Sequence, residues 1–200
     1  DHRDLRGTQS AVNAVVFGLV DAITCNSRST LESYFPWEDL LAGPRSRVVH
    51  NGVDIDWIDR SEGRGREIRE RLGVEPETFL VGSVASLVEQ KDFSTLVGAA
   101  RYLPEDVQIV VVGGGPLEDE LQQLRHTSGV EDQIEFLGPR QRSEVYQFLH
   151  ALDAFVMPSV TDGFCVALVE AMAAGLPVVC SEIDTFREVA GDVACFASPG

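Results

Sequence analysis

Short runs of β-branched and aliphatic residues alternate along this chain with segments whose apolar positions recur every three or four residues. The apolar runs are Val81–Val84, Val107–Val112, Ile134–Leu137, Ala154–Met157 and Val178–Cys180. Their length and composition predict buried strands. Between and after them, Ser94–Tyr102, Leu117–His126, Ser143–His150 and Cys165–Ala174 carry helical spacing. Strands apolar on both faces, each followed by a helix, predict a parallel sheet covered on both sides. The expected fold class is α/β, with a doubly wound parallel sheet.

The punctuation agrees with this reading. Gly113-Gly114-Gly115-Pro116 closes one strand and puts proline at a helix start, where a missing N–H costs nothing. Gly138-Pro139 follows another strand, and Gly175-Leu176-Pro177 stops the helix that carries Glu170. The first fifty residues are different. They predict a helix over Val12–Leu19, a strand over Ala22–Cys25, a helix over Ser29–Phe35 and a strand over Arg47–His50 that ends in the turn Asn51-Gly52. The polar, glycine-punctuated stretch after it reads as a linker leading to a helix from about Arg66 to Leu72. The expected division is a first domain over residues 1–54, a linker over 55–65 and a second domain over 66–200. The chain has no initiator methionine, and it stops just after an apparent strand in "CFASPG". It is therefore expected to be part of a larger protein and inactive in isolation.

Composition narrows the partners. A formal net charge of −16 over 200 residues argues against a nucleic-acid surface, which needs clustered cations. It also argues against a broad basic face for acidic membranes. No apolar run reaches the roughly 18 residues that span a bilayer. Lys91 is the single lysine. The four cysteines (Cys25, Cys165, Cys180 and Cys195) form no Cys-x-x-Cys pair, and three lie in apolar contexts. They read as small buried hydrophobes in a reducing, cytoplasmic setting. The four histidines are scattered, so no metal site is expected.

In a doubly wound sheet, ligands sit beyond the carboxyl ends of the strands. That rule selects Ser83–Lys91, Gly113–Leu117, Gly138–Arg142 and Ser159–Glu170. The last segment, within "SVTDGFCVALVEAMAAGLPVVCSE", is the richest. Asp162 falls in the loop after a strand. The amides of Gly163, Phe164 and Cys165 lead into a helix whose N-terminus favours an anion such as phosphate. Glu170 lies eight residues after Asp162 and, at ~1.5 Å per residue, roughly 9 Å along the axis from the helix start. Two acids flanking such amides suit the hydroxyls and diphosphate of a nucleotide-sugar. The plainer alternative makes Asp162 a helix-entry residue and Glu170 a solvated acid. Glu170 is flanked by Leu168, Val169, Ala171 and Met172, however, and an acid there requires a partner. Lys91 is either a surface charge or the cation that meets a leaving diphosphate. The Gly113–Gly115 run is not a dinucleotide fingerprint and equally serves as a tight strand-to-helix turn.

The segments "VVHNGVD", "VGSVASLVEQKDF", "VVGGGPLEDEL", "FREVAGD" and the long block "IEFLGPRQRSEVYQFLHALDAFVMPSVTDGFCVALVEAMAAGLPVVCSEI" resemble the family 4 glycosyltransferases. These are retaining, metal-independent enzymes of GT-B fold, with two Rossmann-like domains. The resemblance implies the end of an N-terminal, acceptor-side domain followed by most of a C-terminal domain that binds the nucleotide-sugar. It implies that Glu170 is the second acid of a paired-glutamate motif and holds the ribose hydroxyls. Asp162 stands where the first glutamate contacts the transferred sugar. Lys91 matches the basic residue that faces the diphosphate, and the amides of Gly163, Phe164 and Cys165 hold phosphate. Gly114, Gly115, Pro116 and Leu117, with Gly138 to Arg142, line the base region. No cofactor is implied beyond the nucleoside diphosphate sugar itself. The acceptor is a glycan, a lipid-linked sugar or a small molecule. Peripheral membrane association is implied through a segment outside this chain.

Three positions depart from the family pattern. Asp162 is one methylene shorter than glutamate. Cys165 replaces a common glycine. Ser86 stands where an arginine is usual, five residues before the lysine, and Arg142 is a candidate substitute for it. These departures motivate a rival from another class, a GT-B protein that binds nucleotide or a partner enzyme without transfer. Donor binding without turnover in the whole protein, restored by Ser86→Arg, would mark it. A nucleotide-sugar epimerase fits the helix block less well, and a dehydrogenase lacks its glycine fingerprint.

Overall fold

A computed structural model describes residues 12–13, 15–33 and 43–199. The chain divides between Asn51 and Gly52 into two compact units. Expectations for residues 1–11 and for Tyr34 and Phe35 lie outside the described residues.

In the first unit, residues 12–13 and 15–19 are helical. β1 (Ile23–Cys25) pairs in parallel with β2 (Ser46–Val48), in register from Ile23 opposite Ser46 to Cys25 opposite Val48. Between them lies α1 (Arg28–Glu32), capped by Ser27, whose hydroxyl accepts from the Thr30 amide at 3.0 Å. That bond satisfies one of the orphan donors of the first turn.

The second unit starts with α2 (Ile55–Asp59) and α3 (Gly65–Leu72). The linker expected over residues 55–65 is thus folded. Asp54 caps α2 through the Trp57 amide at 2.9 Å, and Ile58 is fully buried in the core. A five-residue helix among polar neighbours carries too little period to show in the sequence. Burial of one isoleucine, at about 2 kcal/mol, holds it down.

The sheet then follows: β3 (Phe79–Val84), β4 (Val107–Val112), β5 (Ile134–Phe136), β6 (Ala154–Met157), β7 (Val178–Ser181) and β8 (Cys195–Ala197). All the pairings are parallel, in the spatial order β5-β4-β3-β6-β7-β8. The helices are α4 (Phe93–Ala100) after β3, α5 (Glu118–Ser128) after β4, α6 (Arg142–Leu149) after β5, α7 (Val166–Ala173) after β6 and α8 (Asp184–Ala190) after β7. The period-two alternation of β4 decides the layers. Val110 and Val112 join one core with Ile68, Tyr146, Leu168 and Phe186 from α3, α6, α7 and α8. Ile109 and Val111 join another with Phe93, Val97 and Leu121 from α4 and α5. Alternate side chains point to opposite faces, so the four successive apolar residues Ile109–Val112 feed two cores.

Helix α5 begins at Glu118, with Pro116 exposed in the preceding turn, rather than at the proline. Cys25, Cys165 and Cys180 are buried as expected, but Cys195 is exposed, because β8 is the edge strand.

The N-terminal ends of β3 and β6 are held by one arginine. Arg69 on α3 reaches Asp153 Oδ2 at 3.0 Å, the Ala151 carbonyl at 2.9 Å and the Thr78 carbonyl. The same Asp153 oxygen accepts from the Leu80 amide at 2.7 Å. Arg69→Ala strands these acceptors and is expected to cost about 2 kcal/mol, discounted because Asp153 is part-exposed. The midpoint of thermal unfolding then falls by roughly 4–8 °C, and no change would show that the clasp carries no net stability.

Candidate functional site

The sheet order runs outward from β3 in one direction through β4 and β5, and in the other through β6, β7 and β8. The strand order reverses between β3 and β6, the point at which a doubly wound sheet forms a crevice at its carboxyl ends. The loops selected from the sequence meet at this crevice.

Lys91 ends a short 3-10 turn (Glu89–Lys91) in the loop after β3, and Asp162 lies in the loop after β6. Their side chains form an ion pair across the crevice, largely shielded, with 18% and 11% of each side chain exposed. The Val160 amide donates to the Gln90 carbonyl at 2.9 Å and fixes one loop on the other. Thr185 on α8 donates its hydroxyl to the Asp162 carbonyl at 2.8 Å.

The second oxygen of Asp162 corrects an expectation. Its Oδ1 accepts from the Phe164 amide at 3.2 Å and the Cys165 amide at 3.1 Å. Two of the three amides assigned to phosphate are therefore held by the chain's own carboxylate. Asp162 is short enough to fold back on its own loop, the local bonding that makes aspartate a turn and cap residue. An anion reaching those amides must displace it, and in doing so would also free Lys91.

Cys165 has a left-handed backbone, φ 59° and ψ 77°, just before α7. A non-glycine residue there costs about 1 kcal/mol. Burial, and then the charge of Asp162, push its thiol up to about 12, so it stays protonated.

Glu170 on α7 is 6% exposed. It finds the partner its apolar flanks require: Arg142 Nη2 donates to Oε1 at 2.8 Å, and the Tyr146 hydroxyl donates to the same oxygen at 3.2 Å. The bond to Glu170 raises the pKa of Arg142 further. Burial first, then the Glu170 charge, raise that of Tyr146, which remains a donor. Tyr146 was absent from the sequence-based candidates. Its signal was its place one turn after Arg142 on α6, which aims both side chains the same way.

A cavity of about 600 Å³ opens over the ends of β3, β4 and β5. Its walls include Ser86, Gly113, Gly114, Gly115, Pro139 and Arg140. Of the base region expected from the sequence, Pro116, Leu117, Gly138 and Arg142 do not line it. Leu117 packs against the core beneath α4 and α5. Arg142 is committed to Glu170, so Arg140 is the guanidinium on the wall that Ser86 shares. Among the described residues, no group of three or more His, Cys, Asp and Glu side chains could hold a metal ion.

The family model described as glycosyl transferases group 1 matches residues 65–195, well over half of the chain. The chain belongs to this family. D-inositol 3-phosphate glycosyltransferase of Mycobacterium marinum is 33% identical over 144 residues, covering 70% of this chain and 30% of that protein. The amylovoran biosynthesis glycosyltransferase AmsK of Erwinia amylovora is 34% identical over 133 residues, covering 56% of this chain and 33% of that protein. The chain spans about a third of the length of these relatives. Anabaena HepE, solved with UDP-glucose, superposes with a TM-score of 0.84 at 24% identity over 96% of this chain and 54% of that chain. WaaG, a glycosyltransferase involved in lipopolysaccharide biosynthesis, does so with a TM-score of 0.72 at 21% identity, over 88% of this chain and 48% of that one. The six-stranded parallel sheet of this group 1 chain is that of the GT-B glycosyltransferases.

Proposed function

We propose that this chain is the donor-binding part of a retaining family 4 glycosyltransferase. It moves a hexosyl unit from a nucleoside diphosphate sugar to an acceptor hydroxyl on a glycan, a lipid-linked sugar or a small molecule. The observation that carries this reading is the meeting of Lys91 and Asp162 at the sheet's reversal point, one loop before the helix that holds Glu170. Glu170 binds the ribose hydroxyls. The diphosphate displaces Asp162 from Lys91 and from the Phe164 and Cys165 amides. Lys91 then faces the leaving diphosphate, and the released Asp162 turns to the sugar. Preorganised charge of this kind acts where negative charge develops as the bond to the sugar breaks. No cofactor or metal takes part in this scheme. Residues up to Asn51 belong to the acceptor-side domain, the boundary falling three residues before the expected Asp54, and the protein works in the cytoplasm, at the inner face of the membrane when its acceptor is a lipid. The HepE structure contains UDP-glucose, which makes a uridine donor the first to test.

Calorimetric titration of the chain with UDP, GDP and ADP, and with the matching sugar nucleotides, tests the donor site. Saturable binding of one nucleotide is expected, weakened tenfold or more in Glu170→Ala, because a charged hydrogen bond contributes about 1.5–3 kcal/mol. If neither the chain nor the whole protein binds any of them, the donor-site reading fails.

A further inference from the structure

We propose that Tyr146 is the positioning residue that turns one oxygen of Glu170 toward the ligand, and so sets how strongly the site selects a ribose over a deoxyribose. The proposal rests on Glu170 being the ribose-binding acid.

Both hydrogen bonds that the carboxylate accepts among the described residues go to a single oxygen, Oε1: from Arg142 at 2.8 Å and from Tyr146 at 3.2 Å. Among the described residues nothing bonds Oε2, and it is not sealed from solvent. The carboxylate thus has one oxygen anchored to protein and one presented. A free carboxylate rotates about its terminal bond, which has a broad profile. Anchoring Oε1 removes that freedom before the ligand arrives, and a ribose hydroxyl then meets a fixed acceptor.

The two anchors differ in rigidity. Arg142 has 55% of its side chain exposed and sits on a long, flexible stem. Tyr146 is fully buried and has two side-chain torsions. The Trp57 ring on α2 meets the Tyr146 ring edge-on, with centroids 5.2 Å apart and planes at 85°. The Arg142 guanidinium lies 5.8 Å from the centre of the same ring. Packing on the ring fixes the hydroxyl, and the hydroxyl fixes the carboxylate. Folding of residues 55–59 into α2 therefore has a consequence at the site, because it supplies Trp57. Neither Trp57 nor Tyr146 touches the ligand in this scheme; they act through Glu170.

The test compares binding of UDP and 2′,3′-dideoxy-UDP to the wild-type chain, Tyr146→Phe and Trp57→Ala, with the midpoint of thermal unfolding recorded for each. Wild type is expected to prefer UDP by about tenfold or more, the lower bound for hydroxyl bonds to a charged acceptor. In Tyr146→Phe that preference falls to about threefold while affinity for the dideoxy analogue is unchanged. In Trp57→Ala, which keeps the hydroxyl but frees the ring, it falls in the same direction. A purely structural role would weaken both nucleotides alike, so a retained ratio in both variants overturns the proposal. If wild type itself does not distinguish the two nucleotides, the assignment of Glu170 to ribose fails first, and the role of Tyr146 with it. Should Tyr146→Phe fold poorly, Trp57→Ala decides alone.

Discussion

Replacing Lys91 by alanine in the whole protein lowers turnover about a hundredfold to a thousandfold, the range for losing one preorganised group at a developing charge. The expectation follows from where the residue sits. Lys91 is the chain's single lysine, its side chain is 18% exposed, and it stands at the sheet's reversal point with Asp162 as its partner. In so shielded a place a unit charge acts much more strongly than on the surface. The stability of the variant must be measured alongside. Its loss leaves Asp162 shielded without its cation, bonded still to the Phe164 and Cys165 amides, and this costs some stability of its own. Lys91→Arg keeps the charge but not the compact shape and is expected to recover turnover only in part. The check is kcat with saturating sugar nucleotide, on protein shown to be folded. Wild-type turnover in Lys91→Ala would remove Lys91 from the chemistry and, with it, the proposed route for the leaving diphosphate.

Gly113→Ala is expected to abolish the folded state, with a loss above about 4 kcal/mol, a size reserved for backbone clashes and cavities in the core. A methyl group at Gly113 would lie 1.8 Å from the Ala85 carbonyl oxygen, and the residue has φ 153°. Neither side can yield. The Ala85 amide is bonded to the Val112 carbonyl at 3.1 Å, and the Gly113 amide to the Gly138 carbonyl at 3.1 Å. Gly98→Ala is the matching control. Gly98 lies within α4, and an added methyl there meets nothing within 4 Å. It is expected to gain roughly 0.5–1 kcal/mol, the usual benefit of alanine over glycine in a helix. Denaturant unfolding of the two variants beside wild type checks both signs. A folded Gly113→Ala protein of near-normal stability would mean that the loops after β3, β4 and β5 are not locked together as the bonds imply.

The two variants explain the glycine run. Read along the sequence, Gly113-Gly114-Gly115 allows a phosphate loop or a plain turn equally well. The neighbours decide between them. A methyl at Gly115 would come within 2.5 Å of the Leu87 carbonyl oxygen, and the Leu87 amide already donates to the Gly114 carbonyl at 3.1 Å. The glycines let the loop after β3 lie against the loop after β4, and the cavity above them is a result of that approach.

Hydrophobic pattern alone determined the sheet. β4 and β6 begin and end where their apolar runs do, because burial on both faces keeps those runs nearly unbroken, with Gln108 the one polar residue in either. That Lys91 and Asp162 lie at one edge of the sheet also follows from the sequence, since each sits in a loop after a strand of a parallel sheet and all such loops share that edge. The folding of α2 was not legible, because a single buried isoleucine sets it and a single residue has no period. Nor was the pairing at the site. Asp162 was expected to face a sugar and its neighbouring amides a phosphate, and each is held by the other. Arg142 was a candidate substitute for the cation missing at Ser86, and it serves Glu170, with Tyr146, on the neighbouring helix. A sequence fixes which groups reach a crevice through the period of its strands and helices. Which charge takes which partner is settled by a few ångströms of side-chain reach, and only the packed tertiary structure sets those distances.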